Sequence, residues 1–144
     1  VFGNVTLDNA TRNAMVLAEI LEQNIPVSRG FPKPLVQTPN PVSDYVHGDE
    51  GFGDIPARTP NAKEINIPAD KYIRELINAN VGEIILCPVG PLTNIAMALR
   101  YDPTIVSKVK SVVIMGGGVF SGGNVTDFAE ANIWNDPHAA DEVW

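Results

Sequence analysis

The chain has 144 residues, of which 44% are hydrophobic, a length of about one domain with the composition of an ordinary globular core. Its net charge of −7 offers no general attraction to nucleic acid or to an anionic membrane, and runs such as IILC and VVIM are far too short to span a bilayer. The single Cys87 excludes an internal disulfide, and with no visible signal peptide the expected location is cytoplasmic. Residues 7–23 predict a helix with Ala10, Ala14, Leu17 and Leu21 on one face, widened by Val16 and Ile20. IPVSRG follows as a short strand. Residues 30–61 then hold six prolines and four glycines, too many breakers for a helix or a central strand. A loop of that length inside a compact domain is usually functional or disordered, and VHGDEGFGD lies within it.

A helix opened by Pro68 comes next, with Tyr72, Ile73, Leu76 and Ile77 facing inward. EIILC, residues 83–87, reads as a strand of the type buried on both faces of a parallel sheet, which makes Cys87 an inert core thiol. Pro91 opens a helix with Leu92, Ile95, Ala96 and Leu99 at helical spacing, and Asp102-Pro103 ends it and starts a short one. SVVIM, residues 111–115, is a second buried strand, stopped by three glycines. Asp136 is placed to cap a last helix with Pro137 at its first position. Strand, helix and strand joined by short turns predict an α/β fold, a Rossmann-like, mostly parallel sheet flanked by helices. Both ends read as cut, so residues 1–144 are expected to be the central part of a larger domain.

In open parallel sheets ligands sit beyond the carboxyl ends of the strands. The loops at 3–4, 88–90 and 116–124 all follow apparent strand ends, so their unusual residues are expected on one rim. The glycine loop fails the dinucleotide fingerprint, because the third glycine position from Gly116 is Ser121. From Ser111 to Trp144 there are five acidic residues and no lysine or arginine, poor company for a phosphate. Tight turning and close packing would also account for those glycines. Asn124, Glu130 and Asn132 supply donors and acceptors without positive charge, which suits the hydroxyls of a neutral sugar. In an extended stretch Glu130 and Asn132 would project on one face. Turn formation plus a solvated glutamate is the plainer account of the same residues. His47, in the Pro-rich loop, is either a surface histidine or a proton donor near neutral pH.

Four stretches carry a resemblance over nearly the whole chain: GNVTLDNATRNA, VHGDEGFGD, PVGPLTNIAMAL and VIMGGGVFSGGNVTDFAEANIWNDPHAA. In this order they resemble the inosine–uridine preferring nucleoside hydrolases, also called ribonucleoside hydrolases. The resemblance implies a nucleoside hydrolase catalytic domain that splits the N-glycosidic bond of ribonucleosides into ribose and free base, with a bound Ca²⁺. It implies that Asn124, Glu130 and Asn132 bind ribose hydroxyls, that Met115 lines the ribose, and that Asn4 stands beside the attacking water. It assigns His47 to the base pocket near the leaving group and the main-chain carbonyl of Val89 to calcium. Members are commonly dimers or tetramers. The family's D-x-D-P-G-x-D-D cluster and its later His-Asp pair have no counterpart in these residues, so the 144-residue piece alone is expected to be inactive and to hold no calcium tightly. A nucleoside- or sugar-binding module without catalysis stays open beside this reading, as does a dinucleotide-binding oxidoreductase domain.

Overall fold

The computed structural model describes residues 1–144. Its helices are α1 (Leu7–Ile20), α2 (Asp44–His47), α3 (Ala69–Ala79), α4 (Thr93–Tyr101), α5 (Ala131–Asn135) and α6 (Pro137–Val143), with a 3-10 turn at Pro103–Ser107. Two strands, β1 (Ile85–Leu86) and β2 (Ser111–Val112), pair in parallel with Ile85 opposite Ser111 and Leu86 opposite Val112. The ladder runs past the strand ends: Val113 N donates to Leu86 O at 2.8 Å and Met115 N to Pro88 O at 2.9 Å. A parallel pair needs a long crossover, and α4 with the 3-10 turn supplies it. No helix is long and apolar enough to cross a membrane.

The core is built around α4. Leu92, Ile95 and Ala96 pack against Ala139 and Ala140 of α6, and Ala98 against Ile77 of α3 and Ile105. Leu86 and Leu99 touch both clusters and join them. The alanines let three helices approach closely around one strand. Truncating a large side chain such as Ile77 there would cost about 2–5 kcal/mol. Asp136 is the polar centre of the same region and is fully buried. One of its oxygens caps α6 by accepting from Ala139 N at 3.1 Å. The other accepts from Thr93 Oγ1 at 2.7 Å and from Leu35 N at 3.1 Å. That carboxylate therefore ties α4, α6 and the Pro-rich segment together, and Gln37 adds bonds to the carbonyls of Trp134 and Asn135.

Three expectations are corrected. First, α1 buries Thr11, Asn13, Val16 and Ala18, while Leu17, Ile20 and Leu21 are exposed. Its inner face is partly polar because it packs on backbone carbonyls of a turn. Second, the strands are covered on one face only. Ile84, Leu86 and Ile114 pack on the helices, whereas Ile85, Val113 and Met115 are exposed, and so is Cys87. Third, IPVSRG forms no strand; Ser28 makes only an isolated parallel bridge to Ile65.

Candidate functional site

The segment entering α1 lies beside the turn that leaves β1. A side-chain carbon placed on Gly90 would stand 3.4 Å from Val1 Cγ1, and one placed on Gly3 would stand 3.1 Å from Pro91 Cδ. Between them is a cleft of about 230 Å³ lined by Asn4, Val5, Ala10, Val89, Pro91 and Asn132, among others. Asn4, Val89 and Asn132, from three separate loops, are thus brought together at the carboxyl end of the sheet. Asn4 and Val89 are exposed; Asn132 is buried.

Met115 links the loops. Its N–H donates to Pro88 O, one residue before Val89, and its carbonyl accepts from Asn132 Nδ2 at 2.9 Å. The same amide lies 3.1 Å from the Met115 sulfur.

Residues 130–132 are not extended, which corrects the expected alternation. Glu130 is the N-cap of α5, and its Oε2 accepts from Asn132 N at 3.0 Å, Ile133 N at 3.2 Å and Gly117 N at 3.1 Å. Capping side chains of this kind satisfy the open N–H groups of a first helical turn. Gly116 leaves the space: a side-chain carbon there would stand 3.2 Å from Glu130 Oε2. Asn124 is held in a similar way, its Oδ1 accepting from Ala131 N at 2.9 Å. The turn that follows Asn124 closes on Ala129 O, which accepts from the N–H groups of Asn124, Val125 and Thr126.

Each amide or carboxylate of this wall is therefore fixed through one atom and free at another. Glu130 keeps Oε1 as an acceptor, Asn124 keeps Nδ2 as a donor, and Asn132 keeps Oδ1 as an acceptor. Glu130 faces a second, wider hollow of about 680 Å³, bordered by Gly117, Phe120, Phe128 and Trp144, next to the Asn132 cleft rather than inside it. Asn124, Met115 and His47 line neither hollow, and His47 is the farthest removed in sequence. His47 closes α2 partly buried, and its turn meets the cleft wall through Gly51, where a side-chain carbon would stand 2.8 Å from Val5 Cγ1.

The polar face of α1, which is not among the site residues expected from the sequence, holds the turn at residues 49–50. Asn9 Nδ2 donates to Asp49 O at 3.1 Å, and Asn13 Nδ2 donates to Glu50 O at 2.7 Å. Arg12 Nη2 donates to Glu50 O at 3.1 Å, and Nη1 pairs with Glu50 Oε2 at 2.6 Å. The spacing i, i+3, i+4 places all three side chains on one helical face, although spacing alone does not tell that face from a solvated one.

No group of three or more His, Cys, Asp or Glu side chains comes together to hold a metal. Around Val89 the chain offers neutral oxygens, its own carbonyl and the Asn4 amide. Ca²⁺ takes six to eight oxygens, with carboxylates among them, so these donors do not by themselves fit that ion.

Residues 1–144 match the family model described as inosine-uridine preferring nucleoside hydrolase. The chain is 44% identical to uridine nucleosidase 1 of Arabidopsis thaliana over 145 residues, spanning all of this chain and 43% of that protein. Among solved structures it is similar to a plant nucleoside hydrolase, the PpNRh1 enzyme, with a TM-score of 0.94 and 40% identity over 99% of this chain and 46% of that one. It is equally close in shape, TM-score 0.94 at 32% identity, to a purine-preferring ribonucleoside hydrolase from Gardnerella vaginalis, again covering 99% and 46%. The chain thus spans less than half the length of these relatives.

Proposed function

The chain belongs to the inosine-uridine preferring nucleoside hydrolase family, and from that premise we propose that the whole protein hydrolyses the N-glycosidic bond of ribonucleosides to ribose and free base. In this reading residues 1–144 supply the ribose-facing wall. The observation that carries it is the convergence of Asn4, Val89 and Asn132 on one cleft at the carboxyl edge of the sheet, with Glu130 fixed as a helix cap on the adjoining hollow and Asn124 bonded to Ala131 N, one residue before Asn132.

The chemistry follows from those groups. Departure of the base leaves an oxocarbenium-like ribosyl centre, which a neutral-to-acidic wall stabilises better than a basic one. Glu130 Oε1 and Asn132 Oδ1 accept hydrogen bonds from ribose hydroxyls, and Asn124 Nδ2 donates one. Because backbone bonds already hold each side chain, little rotamer freedom is lost on binding. Asn4 orients the water whose oxygen bonds to C1′ as the bond to the base nitrogen breaks, and the proton this water gives up passes to a carboxylate beyond these residues. His47 delivers a proton to the leaving base, and Met115 packs against the sugar.

The family is generally metal-dependent. Dependence on Ca²⁺, with the Val89 carbonyl as one ligand, is part of the proposal and requires carboxylates beyond these residues. No step above is routed through the ion. A homodimer or homotetramer and a cytoplasmic location belong to the same proposal.

The test is ribose release from uridine and inosine by the full-length protein, the two substrates that divide the activities named for its relatives. Turnover of either, with free base appearing in equal amount, is the expected result. Binding without ribose release would replace hydrolysis by a nucleoside-binding role.

A further inference from the structure

His47 sits on a segment tied at both ends to the unit formed by Asn4 and α1. At the entry Ser43 N donates to Asn4 O at 3.1 Å. At the exit the carbonyls of Asp49 and Glu50 are taken by Asn9, Arg12 and Asn13. Asn13 is the buried centre of this contact, only 8% exposed, and Arg12 orients it, donating to its Oδ1 from Nε at 3.2 Å and Nη2 at 3.0 Å. Glu50 completes the group through its ion pair with Arg12.

The turn itself is shaped for this seat. Gly51 has φ +84°, and a side-chain carbon on it would meet Asn13 Nδ2 at 3.0 Å as well as Val5. Gly51 N donates to Gly48 O at 3.1 Å, and Gly53 N returns to His47 O at 2.7 Å. A loop tip held by water alone would not need a buried amide and a guanidinium aimed at its carbonyls.

We propose that Asn13, with Arg12 and Asn9, is a positioning device that fixes the His47 turn against the cleft, so that the imidazole meets the leaving nucleobase in one orientation. This rests on the reading of His47 given above. A base leaves more readily the better its proton donor is placed, whereas p-nitrophenolate leaves without a proton. Loosening the turn should therefore penalise nucleosides and spare p-nitrophenyl riboside.

The experiment uses the full-length protein with Asn13→Ala, His47→Ala and the double variant. Amide hydrogen exchange at Gly51 and Gly53 should accelerate about tenfold in Asn13→Ala, the loss expected from one buried hydrogen bond. The ratio of kcat on uridine to kcat on p-nitrophenyl riboside should fall about tenfold as well, and the double variant should be no slower on uridine than His47→Ala alone. Unchanged exchange, equal loss on both substrates, or additive losses in the double variant would each overturn the proposal. If His47→Ala itself leaves the ratio intact, the reading of His47 fails and the proposal falls with it. If His47→Ala lowers the ratio and Asn13→Ala does not, only the positioning role is lost. Should Asn13→Ala not fold, Arg12→Gln, which removes the ion pair and both bonds to Asn13, takes its place with the same expectations.

Discussion

Glu130 is asked to do two things at once, and one atom serves each. Its Oε2 accepts three backbone N–H groups, two in the first turn of α5 and one from Gly117. Its Oε1 is left for a ribose hydroxyl. Glu130→Gln keeps a carbonyl oxygen where Oε2 stands, so the three N–H groups stay satisfied, but it puts an amide in place of the free oxygen and removes the charge. Glu130→Ala removes both. Loss of a helix cap costs about 0.5–2 kcal/mol, and leaving the Gly117 N–H without its charged acceptor adds about 1 kcal/mol. We therefore expect Glu130→Ala to lower stability by about 2 kcal/mol, and Glu130→Gln by under about 1 kcal/mol. In kcat/KM the two should fall together, by about 10²-fold or more, corresponding to about 2.7 kcal/mol of transition-state stabilisation. Thermal unfolding and ribose release from uridine and inosine, measured on the same full-length preparations, separate the two effects. Near-normal kcat/KM in Glu130→Gln would refute the assignment to ribose. Equal destabilisation in both variants would refute the division of labour between the two oxygens.

Asn132→Ala should also lose at least about 10²-fold in kcat/KM, because it removes the acceptor in the cleft and unties the Met115 carbonyl. His47→Ala should slow uridine or inosine much more than p-nitrophenyl riboside in steady-state assays, since only the former need a proton on the leaving group. Asp136→Ala should cost about 3–5 kcal/mol in denaturant unfolding, from the lost cap plus a buried Thr93 hydroxyl and Leu35 N–H left unpaired. Glu142, on α6, is held below the usual carboxylate range, chiefly by the hydrogen bond from Arg100 of α4. A depressed carboxylate contributes stability that is present above its unfolded value, about 4.3, and lost as pH falls through the folded one. Glu142→Gln should therefore lower Tm slightly at neutral pH, and the difference from wild type should vanish as the pH is taken into the acid range; a gap that persists there would contradict the ion pair's role.

Much of the fold was legible because the local signals agreed with the tertiary ones. Asp102-Pro103 and Asp136-Pro137 mark helix starts by mechanisms that need no neighbour, and the structure keeps both, while Pro91 stands just before Leu92, the N-cap of α4. The strands were legible as strands but not in their burial. Ile85, Cys87, Val113 and Met115 are apolar as a parallel sheet covered on both faces would require, yet α3, α4 and α6 cover only the other side. A hydrophobic run records what a face is suited to meet, not what these 144 residues bring to it.

The candidate site was legible in its composition and illegible in its bonding. Three residues suited to sugar hydroxyls were visible at 124, 130 and 132, but the capping of α5 was not, because Glu130 stands one residue before a five-residue helix too short to declare itself by periodicity. The plainer account of these residues as turn formers and the functional one are therefore not rivals. The hydrogen bonds that make Glu130 and Asn124 structural are what fix the remaining atom of each for a ligand. Asn9, Arg12 and Asn13 carry the converse case: as polar residues on a helix they read as a solvated face, and only contacts nearly forty positions away turn that face into the support of the His47 turn. Pattern along the chain reports periodicity within an element, whereas a side chain aimed at a distant carbonyl leaves no periodic trace. A polar residue on the buried side of an otherwise amphipathic helix is the one local sign of such a contact, and α1 carries two: Thr11, which turns back to Leu7 O, and Asn13, which makes the distant contact.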